Sequence, residues 1–167
     1  IQRIDDFDGT LNATAFFRAP TAGVYFFEVR SAFKYDIGSY ALNLTLAPPD
    51  DHGSLLDDTA TAISIDTNFS VSQQGIIGIP GDKDVFAITL EAGKVYLLSA
   101  EGMAGNAGTL ADPLLRLFST SGRLVDYNDN GGLGNDAEFY FAPTETGVYY
   151  LQVSSADRDA MGSFTLS

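Results

Sequence analysis

Cysteine is absent from this chain of 167 residues, so neither a disulfide nor a thiolate metal site can stabilise it. Histidine occurs once, as His52, which leaves little basis for a hydrolytic triad. No run of about eighteen apolar residues is present, and this excludes a membrane-spanning helix. The first residues also lack the basic and apolar regions of a signal peptide.

Basic residues are scarce as well, with nine Lys and Arg against 22 Asp and Glu, for a net charge of −13. Nucleic acids and anionic membrane surfaces need Lys and Arg to neutralise their phosphates, so both are excluded as partners. A domain without disulfides needs another source of rigidity, and calcium bound by carboxylates is one common solution. The composition therefore suits a soluble protein, or one that uses cations to offset the charge of its carboxylates.

Short β-patterned runs fill the chain from about residue 68 onward. They alternate apolar and polar residues and are separated by tight turns that contain glycine, with no convincing helix between them. This pattern predicts an all-β, jelly-roll-like antiparallel sandwich. The expected strands are Phe69–Val71, Gly75–Ile79, Asp84–Leu90, Lys94–Ala100, Leu114–Ser119, Arg123–Tyr127, Ala137–Ala142, Val148–Ser154 and Ser163–Leu166.

An internal repeat divides the chain. Residues 1–43 align with residues 124–167 across a single gap at Glu145, and about sixteen of roughly 43 pairs are identical. We therefore expect three parts: the C-terminal half of one module at 1–47, an acidic linker at 48–67, and a complete module at 68–167. Because the repeat starts midway, we also expect a fragment or processed product of a larger protein.

The half module is expected to form four strands: Ile1–Ile4, Ala13–Arg18, Gly23–Arg30 and Ser39–Leu46. Its Tyr25 and Phe27 lie at alternating strand positions, like Phe86, Phe139 and Tyr149 in the complete module, and all five are expected to be core residues. Four strands alone cannot cover both of their faces. We expect the half module to pack on the complete one or to form a homodimer through residues 1–46, with the dimer slightly favoured.

Strand direction places most of the acidic residues at one end of the complete module. Because every connection reverses the chain, successive turns alternate between the two ends of the module. The turns at one end contain most of the acidic residues, and their carboxylates should repel one another unless a cation lies among them. Solvated Asp/Asn/Gly turns are the alternative explanation for such loops. The candidate calcium ligands are Asp82, Asp84, Asp112, Asn128, Asp129 and Asp136.

The segment Gly81-Asp-Lys-Asp-Val-Phe-Ala-Ile-Thr-Leu-Glu-Ala-Gly-Lys-Val-Tyr96 carries a family resemblance. Together with Asp112-Pro-Leu114, Asn128-Asp129 and Gly147-Val-Tyr-Tyr-Leu-Gln-Val153, it resembles the bacterial pre-peptidase C-terminal domain. The resemblance covers 68–167, and its second half recurs in 1–46. It implies a non-catalytic module attached to a secreted hydrolase or surface protein. The related collagen-binding modules bind calcium near the junction of linker and domain and bind collagen through exposed tyrosines.

Catalysis is not expected. His52 lies in the linker, no serine stands in a Gly-x-Ser-x-Gly turn, and acidic pairs at a wet rim lack the apolar pocket that glycoside hydrolysis needs. His52 is expected to pack on the domain; the alternative places it with Asp50 and Asp51 around a metal. Most aromatic residues are expected in the core. Phe33, Tyr35 and Tyr127 lie near loop ends and are the candidate ligand-binding residues.

The expected function is that of a non-catalytic, calcium-stabilised binding module of a secreted bacterial protein, with an extracellular polysaccharide or protein matrix as partner. The alternative is a structural or adhesive repeat of a large cell-surface protein. A targeting module would be retained on an immobilised matrix, and a spacer would not.

Overall fold

The structure is a computed structural model that describes residues 13–17, 19, 21–47, 49–68 and 70–167. The chain divides into two compact units, Ile1–Leu46 and Ala47–Ser167. No helix among the described residues is long and apolar enough to cross a membrane.

The unit Ala47–Ser167 is a sandwich of two β-sheets. Its strands are β1 Thr61–Ala62, β2 Gln73–Ile77, β3 Lys83–Leu90, β4 Tyr96–Glu101, β5 Pro113–Ser119, β6 Leu124–Asn128, β7 Ala137–Phe141, β8 Gly147–Ser155 and β9 Gly162–Leu166. The five-stranded sheet has the order β1-β3-β8-β5-β6, and the four-stranded sheet has the order β2-β9-β4-β7. Among the described residues of this unit, only the β1–β3 pair is parallel, and the other six pairs are antiparallel.

The predicted all-β sandwich is confirmed, and eight of its nine predicted strands overlap observed ones. The alternation is visible in the burial of β3, where Phe86, Ile88 and Leu90 face the core and Thr89 faces solvent. The expected strand at Phe69–Val71 is wrong at Ser70 and Val71, which are not in a strand, while Phe69 lies outside the described residues. The chain at this point bends back towards β2 through a turn in which Asp66 accepts from the Ser70 amide.

The core lies between the two sheets. Phe86 of β3 and Phe164 of β9 meet edge to face, with ring centroids 6.2 Å apart and both side chains fully buried. Phe139 and Tyr149 pack against this core at its margin, as expected. The side chains that fill the rest of the interior are aliphatic, among them Ile77, Leu98, Leu115, Leu117, Leu151, Val153 and Leu166.

The segment expected as a linker belongs to the sandwich unit. Strand β1 adds to the edge of β3, and the Val85 amide donates to the carbonyl of Gly53 at 2.9 Å. The chain from Asp51 to Ala62 therefore runs along the sandwich instead of serving as a tether, and this places the acidic residues at 50 and 51 beside β2 and β3.

Where the structure describes the N-terminal half module, its expected strands are not formed. Among the described residues of 13–47 there is no strand, and Tyr25 and Phe27, expected in the core, are exposed. The strand expected at Ile1–Ile4 lies outside the described residues. The physical reason is that a strand needs a hydrogen-bonding neighbour, and a half sandwich lacks most of its neighbours.

Candidate functional site

Acidic side chains gather at one end of the five-stranded sheet, as strand direction predicted. Asp82 precedes β3, Asp112 precedes β5, and Asp129 and Asp157 follow β6 and β8. The antiparallel register, with Lys83 opposite Ser154 and Pro113 opposite Ser155, places these strand ends side by side. The end of the sheet therefore carries a concentrated negative charge.

Asp84 is the least usual member of this group because it points into the protein. On β3 it shares the inward face with Phe86, and its side chain is 0% exposed. Neither of its two carboxylate oxygens has a hydrogen-bond partner. Room for it comes from the facing sheet, since a Cβ at Gly75 would lie 2.9 Å from Asp84 Oδ2. Burying a polar group without hydrogen-bond partners raises the free energy of the folded state, so the burial of Asp84 requires a physical explanation.

Asp50 and Asp82 complete a cluster around Asp84. The three residues each offer a carboxylate oxygen, and these atoms lie within 4.8 Å of one another. Across 13–17, 19, 21–47, 49–68 and 70–167 this is the only group of three or more acidic, histidine or cysteine side chains with that spacing. Asp82 is held in place by the Gly78 amide, which donates to its Oδ2 at 3.0 Å.

The electrostatics of the cluster keep Asp84 protonated near neutral pH. Burial raises the pKa of the Asp84 carboxyl to about 8, and the charges of Asp51, Asp82 and Asp50 add to the rise. The nearby Ile76 amide, which donates to Asp51 Oδ2 at 3.0 Å, lowers the pKa of Asp84, but this offsets the rise only in part. In the absence of a cation, the site therefore holds a proton that an exposed aspartate would have lost.

His52 anchors the segment that brings Asp50 to the cluster. Its ring lies against Phe86, with centroids 4.6 Å apart. Nδ1 is 2.8 Å from Thr61 Oγ1 and Nε2 is 2.9 Å from the carbonyl of Gln74. Because a carbonyl oxygen only accepts, Nε2 is the donor to Gln74, and the Thr61 hydroxyl can then donate to Nδ1. His52 thus packs on the domain, as expected, and both of its nitrogens are engaged.

The remaining predicted ligands lie elsewhere at the same end. Burial raises the pKa of Asp112, and the charges of Asp129 and Asp157 add to this. Since β8 lies between β3 and β5, this second group is about two strand spacings, roughly 10 Å, from the first. Asn128 Oδ1 accepts from the amides of Asn130 and Gly131, so it shapes its own loop.

Asp136 has a separate environment beside β4. Its Oδ1 accepts from the Gly102 amide at 2.8 Å, while its buried Oδ2 has no hydrogen-bond partner. The six predicted ligands thus do not all lie together: Asp82 and Asp84 join the cluster that includes Asp50, whereas Asp112 and Asp129 belong to the second group. The third member, Asp50, was recognised in the sequence only as an alternative ligand beside His52, because nothing local to it indicates that the chain folds back onto β3.

The three candidate ligand-binding aromatics are all exposed. Tyr127 lies on the edge strand β6, and Phe33 and Tyr35 belong to the N-terminal unit, where Lys34 Nζ lies 5.5 Å from the centre of the Tyr35 ring. Exposure is what a recognition surface requires, and the ligand that they would contact stays a prediction.

These features define an all-β sandwich with a partly buried acidic cluster where the segment before β1 meets β3. The fold is similar to the pre-peptidase C-terminal domain of collagenase from Bacillus anthracis, with 23% identity, a TM-score of 0.46, and coverage of 65% of this chain and 94% of that one. That domain is of the family which the sequence resembles.

Two other solved structures show similarity of fold. One is the periplasmic inhibitor of g-type lysozyme from Aeromonas hydrophila, with 16% identity, a TM-score of 0.44, and coverage of 65% and 96%. The other is a surface-associated copper-binding protein of Methylomicrobium album BG8, with 10% identity, a TM-score of 0.42, and coverage of 65% and 98%. No family model matches the chain. No curated protein matches it either.

Proposed function

We propose that this chain is a non-catalytic binding module of a secreted protein and that calcium stabilises it at Asp50, Asp82 and Asp84. The observation that carries the calcium site is Asp84, a fully buried carboxylate without hydrogen-bond partners, next to two further carboxylates. A cation among them would supply the missing partner and offset their mutual repulsion.

Calcium suits these donors better than other common metals. All three side chains offer oxygen, the ligand atom of hard cations, and the site contains no thiolate. Calcium–oxygen distances of about 2.3–2.6 Å place ligand oxygens up to about 5 Å apart, which accommodates the spacing observed here. Further oxygen ligands would come from water, since Asp50 is exposed.

The site would also connect two parts of the module. Asp50 belongs to the segment before β1, whereas Asp82 directly precedes β3 and Asp84 is the second residue of β3. Binding one ion between them would hold the entering chain against the sandwich, in addition to the contacts of His52 with Thr61 and Gln74. Calcium is therefore expected to order the entry to the module as well as to raise its stability.

Titration calorimetry on the full chain tests the site. We expect calcium binding that Asp82→Asn reduces at least about tenfold, because one of three carboxylate ligands is lost. Asp58→Asn is the matched control: it removes the same charge from an exposed position in the neighbouring segment and should leave binding unchanged. Binding that is insensitive to Asp82→Asn but lost in Asp112→Ala or Asp129→Ala would place the ion at the second acidic group instead.

The non-catalytic role is supported by the state of the only histidine. Both nitrogens of His52 are engaged in packing contacts, so it is not poised as a general base beside a nucleophile. We expect no hydrolysis of peptide, ester or glycoside substrates above background. Turnover that disappears when one Asp or Glu is substituted would overturn this part of the proposal.

For the ligand, exposed aromatic residues favour an extracellular polysaccharide or protein matrix, because flat rings stack on sugars and on peptide surfaces. Retention on insoluble polysaccharides and on immobilised collagen provides the test. Tyr127→Ala should reduce retention, and Tyr140→Ala, also an exposed tyrosine but on the other sheet, is the control. Equal loss in both variants would remove Tyr127 from the proposal.

A structural or adhesive repeat is the second candidate function, and the internal repeat favours it. A module of this kind would be retained by none of these matrices but would still be stabilised by calcium. The retention assay therefore separates the two functions without affecting the test of the ion.

A further inference from the structure

The N-terminal repeat aligns with a defined set of strands. Residues 14–18, 23–31 and 38–42 correspond to β7, β8 and β9, and the alignment places Tyr25 on Tyr149, Val29 on Val153 and Leu42 on Leu166. In the complete module these three strands contain much of the core. The same pattern in the first 46 residues therefore encodes the C-terminal half of a sandwich.

The topology explains why this segment does not form strands alone. In the complete module β8 lies between β3 and β5, β9 lies between β2 and β4, and β7 pairs with β4. None of the three pairs with another of the three. Every hydrogen-bonded neighbour thus comes from β2–β5, so the segment contains strands without the partners that complete them.

Its side chains show the consequence. Phe27 corresponds to Leu151, which is 1% exposed in the module, but Phe27 is 53% exposed. Tyr40 corresponds to Phe164, which is 0% exposed, but Tyr40 is 70% exposed. An apolar surface of this kind, at positions that are core in the second copy, is typical of a missing partner.

One local feature of the module is already present in the segment. The Tyr25 hydroxyl donates to the carbonyl of Thr21 at 2.6 Å, four residues earlier. In the module the Tyr149 hydroxyl donates to the carbonyl of Glu145 at 3.0 Å, with the same spacing. This hydrogen bond is thus present in both copies, although the turn that contains it is one residue shorter in the segment, where Glu145 has no counterpart. The segment therefore retains one local contact of the module but not its strands.

We infer that residues 13–46 are a strand-donor segment whose partner is the N-terminal half of another sandwich module, with strands equivalent to β2–β6. A second copy of the segment cannot take this place, because two sets of β7–β9 still lack β3, β4 and β5. The chain's own β2–β5 cannot either, because β7–β9 already pair with them. The inference does not depend on calcium or on the proposed matrix ligand.

A fusion at the boundary of the repeat tests the inference. Residues 47–123 are placed directly before Ile1, which aligns with Leu124, and the full chain follows unchanged. Hydrogen exchange is measured in the fused and unfused chains. We expect the amides of 24–31 and 39–42 to exchange at least about 100-fold more slowly in the fusion, while exchange in 147–155 stays the same.

Two variants of the fusion keep the result interpretable. Phe27→Asp should abolish the new protection without affecting 147–155, because it places a charge at the position of Leu151. A fusion in which residues 124–167 replace residues 1–46 is the positive control, since it duplicates the complete module. Protection in this control together with none in the test fusion overturns the inference.

Light scattering on the unfused chain tests whether a second copy of the chain is the partner instead. A monomer with fast exchange in 24–31 is the expected result. A dimer in which these amides are protected would show that a second copy of the chain is the partner, and this outcome also overturns the inference.

Discussion

Asp84 should make the stability of this protein fall as the pH rises, unless a cation is bound. Its pKa is about 8 in the folded chain, against 3.8 for an exposed aspartate. Between these values the folded state retains a proton that the unfolded state releases, so the free energy of unfolding decreases with pH over this window. The usual carboxylate, with a lowered pKa, has the opposite effect.

The magnitude follows from the width of the window. At pH 7 the solution is about three pH units above the pKa of Asp84 in the unfolded chain. At about 1.4 kcal/mol per unit, the free energy of unfolding has decreased by about 4 kcal/mol at most. Water and relaxation around the charged group reduce the effect. For a domain of this size, the melting temperature should fall by up to about 10 °C from pH 5 to pH 8 in chelator.

Two other aspartates with shifted pKa values act outside this pH window. Hydrogen bonds from Thr59 lower the pKa of Asp57, and the Ser70 amide lowers that of Asp66. Their contributions therefore change only below about pH 4. Burial raises the pKa of Asp112, which adds a dependence of the same sign as that of Asp84. A comparison of the wild type with an Asp84 variant isolates the larger effect.

The assay is thermal unfolding followed by circular dichroism, in chelator and in about 5 mM calcium. Calcium should remove most of the pH dependence, because the ion takes the place of the proton and binding releases it. Asp84→Asn should melt higher than the wild type in chelator at pH 8, equal it near pH 4, and show no calcium response. Asp58→Asn should behave like the wild type throughout.

Two results would refute this reasoning. If the wild type in chelator has the same melting temperature from pH 5 to pH 8, Asp84 does not carry the buried proton. If Asp84→Asn melts lower than the wild type at pH 8, the carboxylate has a stabilising partner that the described contacts do not contain.

Three further predictions concern single contacts. His52→Ala should lower the free energy of unfolding by about 2 kcal/mol, because two hydrogen bonds and the ring contact with Phe86 are lost. Urea titration measures this, and an unchanged midpoint would contradict it. Gly75→Ala should lower the free energy of unfolding by about 1–3 kcal/mol and weaken the calcium response, because the added Cβ meets Phe164 and Asp84. Gly147→Ala, whose added Cβ has no neighbouring atom within 4 Å, is the control and should do neither; equal effects would count against the packing argument. Tyr149→Phe should cost about 1 kcal/mol by losing its hydrogen bond to Glu145, and Tyr140→Phe, exposed on β7, is the neutral control.

The local pattern was sufficient to predict eight strands of the sandwich and its acidic end. Alternation along β3 and the glycine-containing turns are properties of neighbouring residues, so their interpretation needs no partner. The direction of successive strands follows from the same turns, and it placed Asp82, Asp112 and Asp129 correctly at one end. The same alternation predicted that Phe86, Phe139 and Tyr149 belong to the core.

The tertiary structure alone decided which acids meet and which strands form. Asp50 lies more than thirty residues before Asp84, and only the path of the chain along β2 and β3 brings them together. In the same way, residues 13–46 have the pattern of β7–β9, but a strand is completed by hydrogen bonds to a neighbour and not by its own sequence. Sequence determines which residues can form a strand or hold a cation, and long-range pairing determines whether they do.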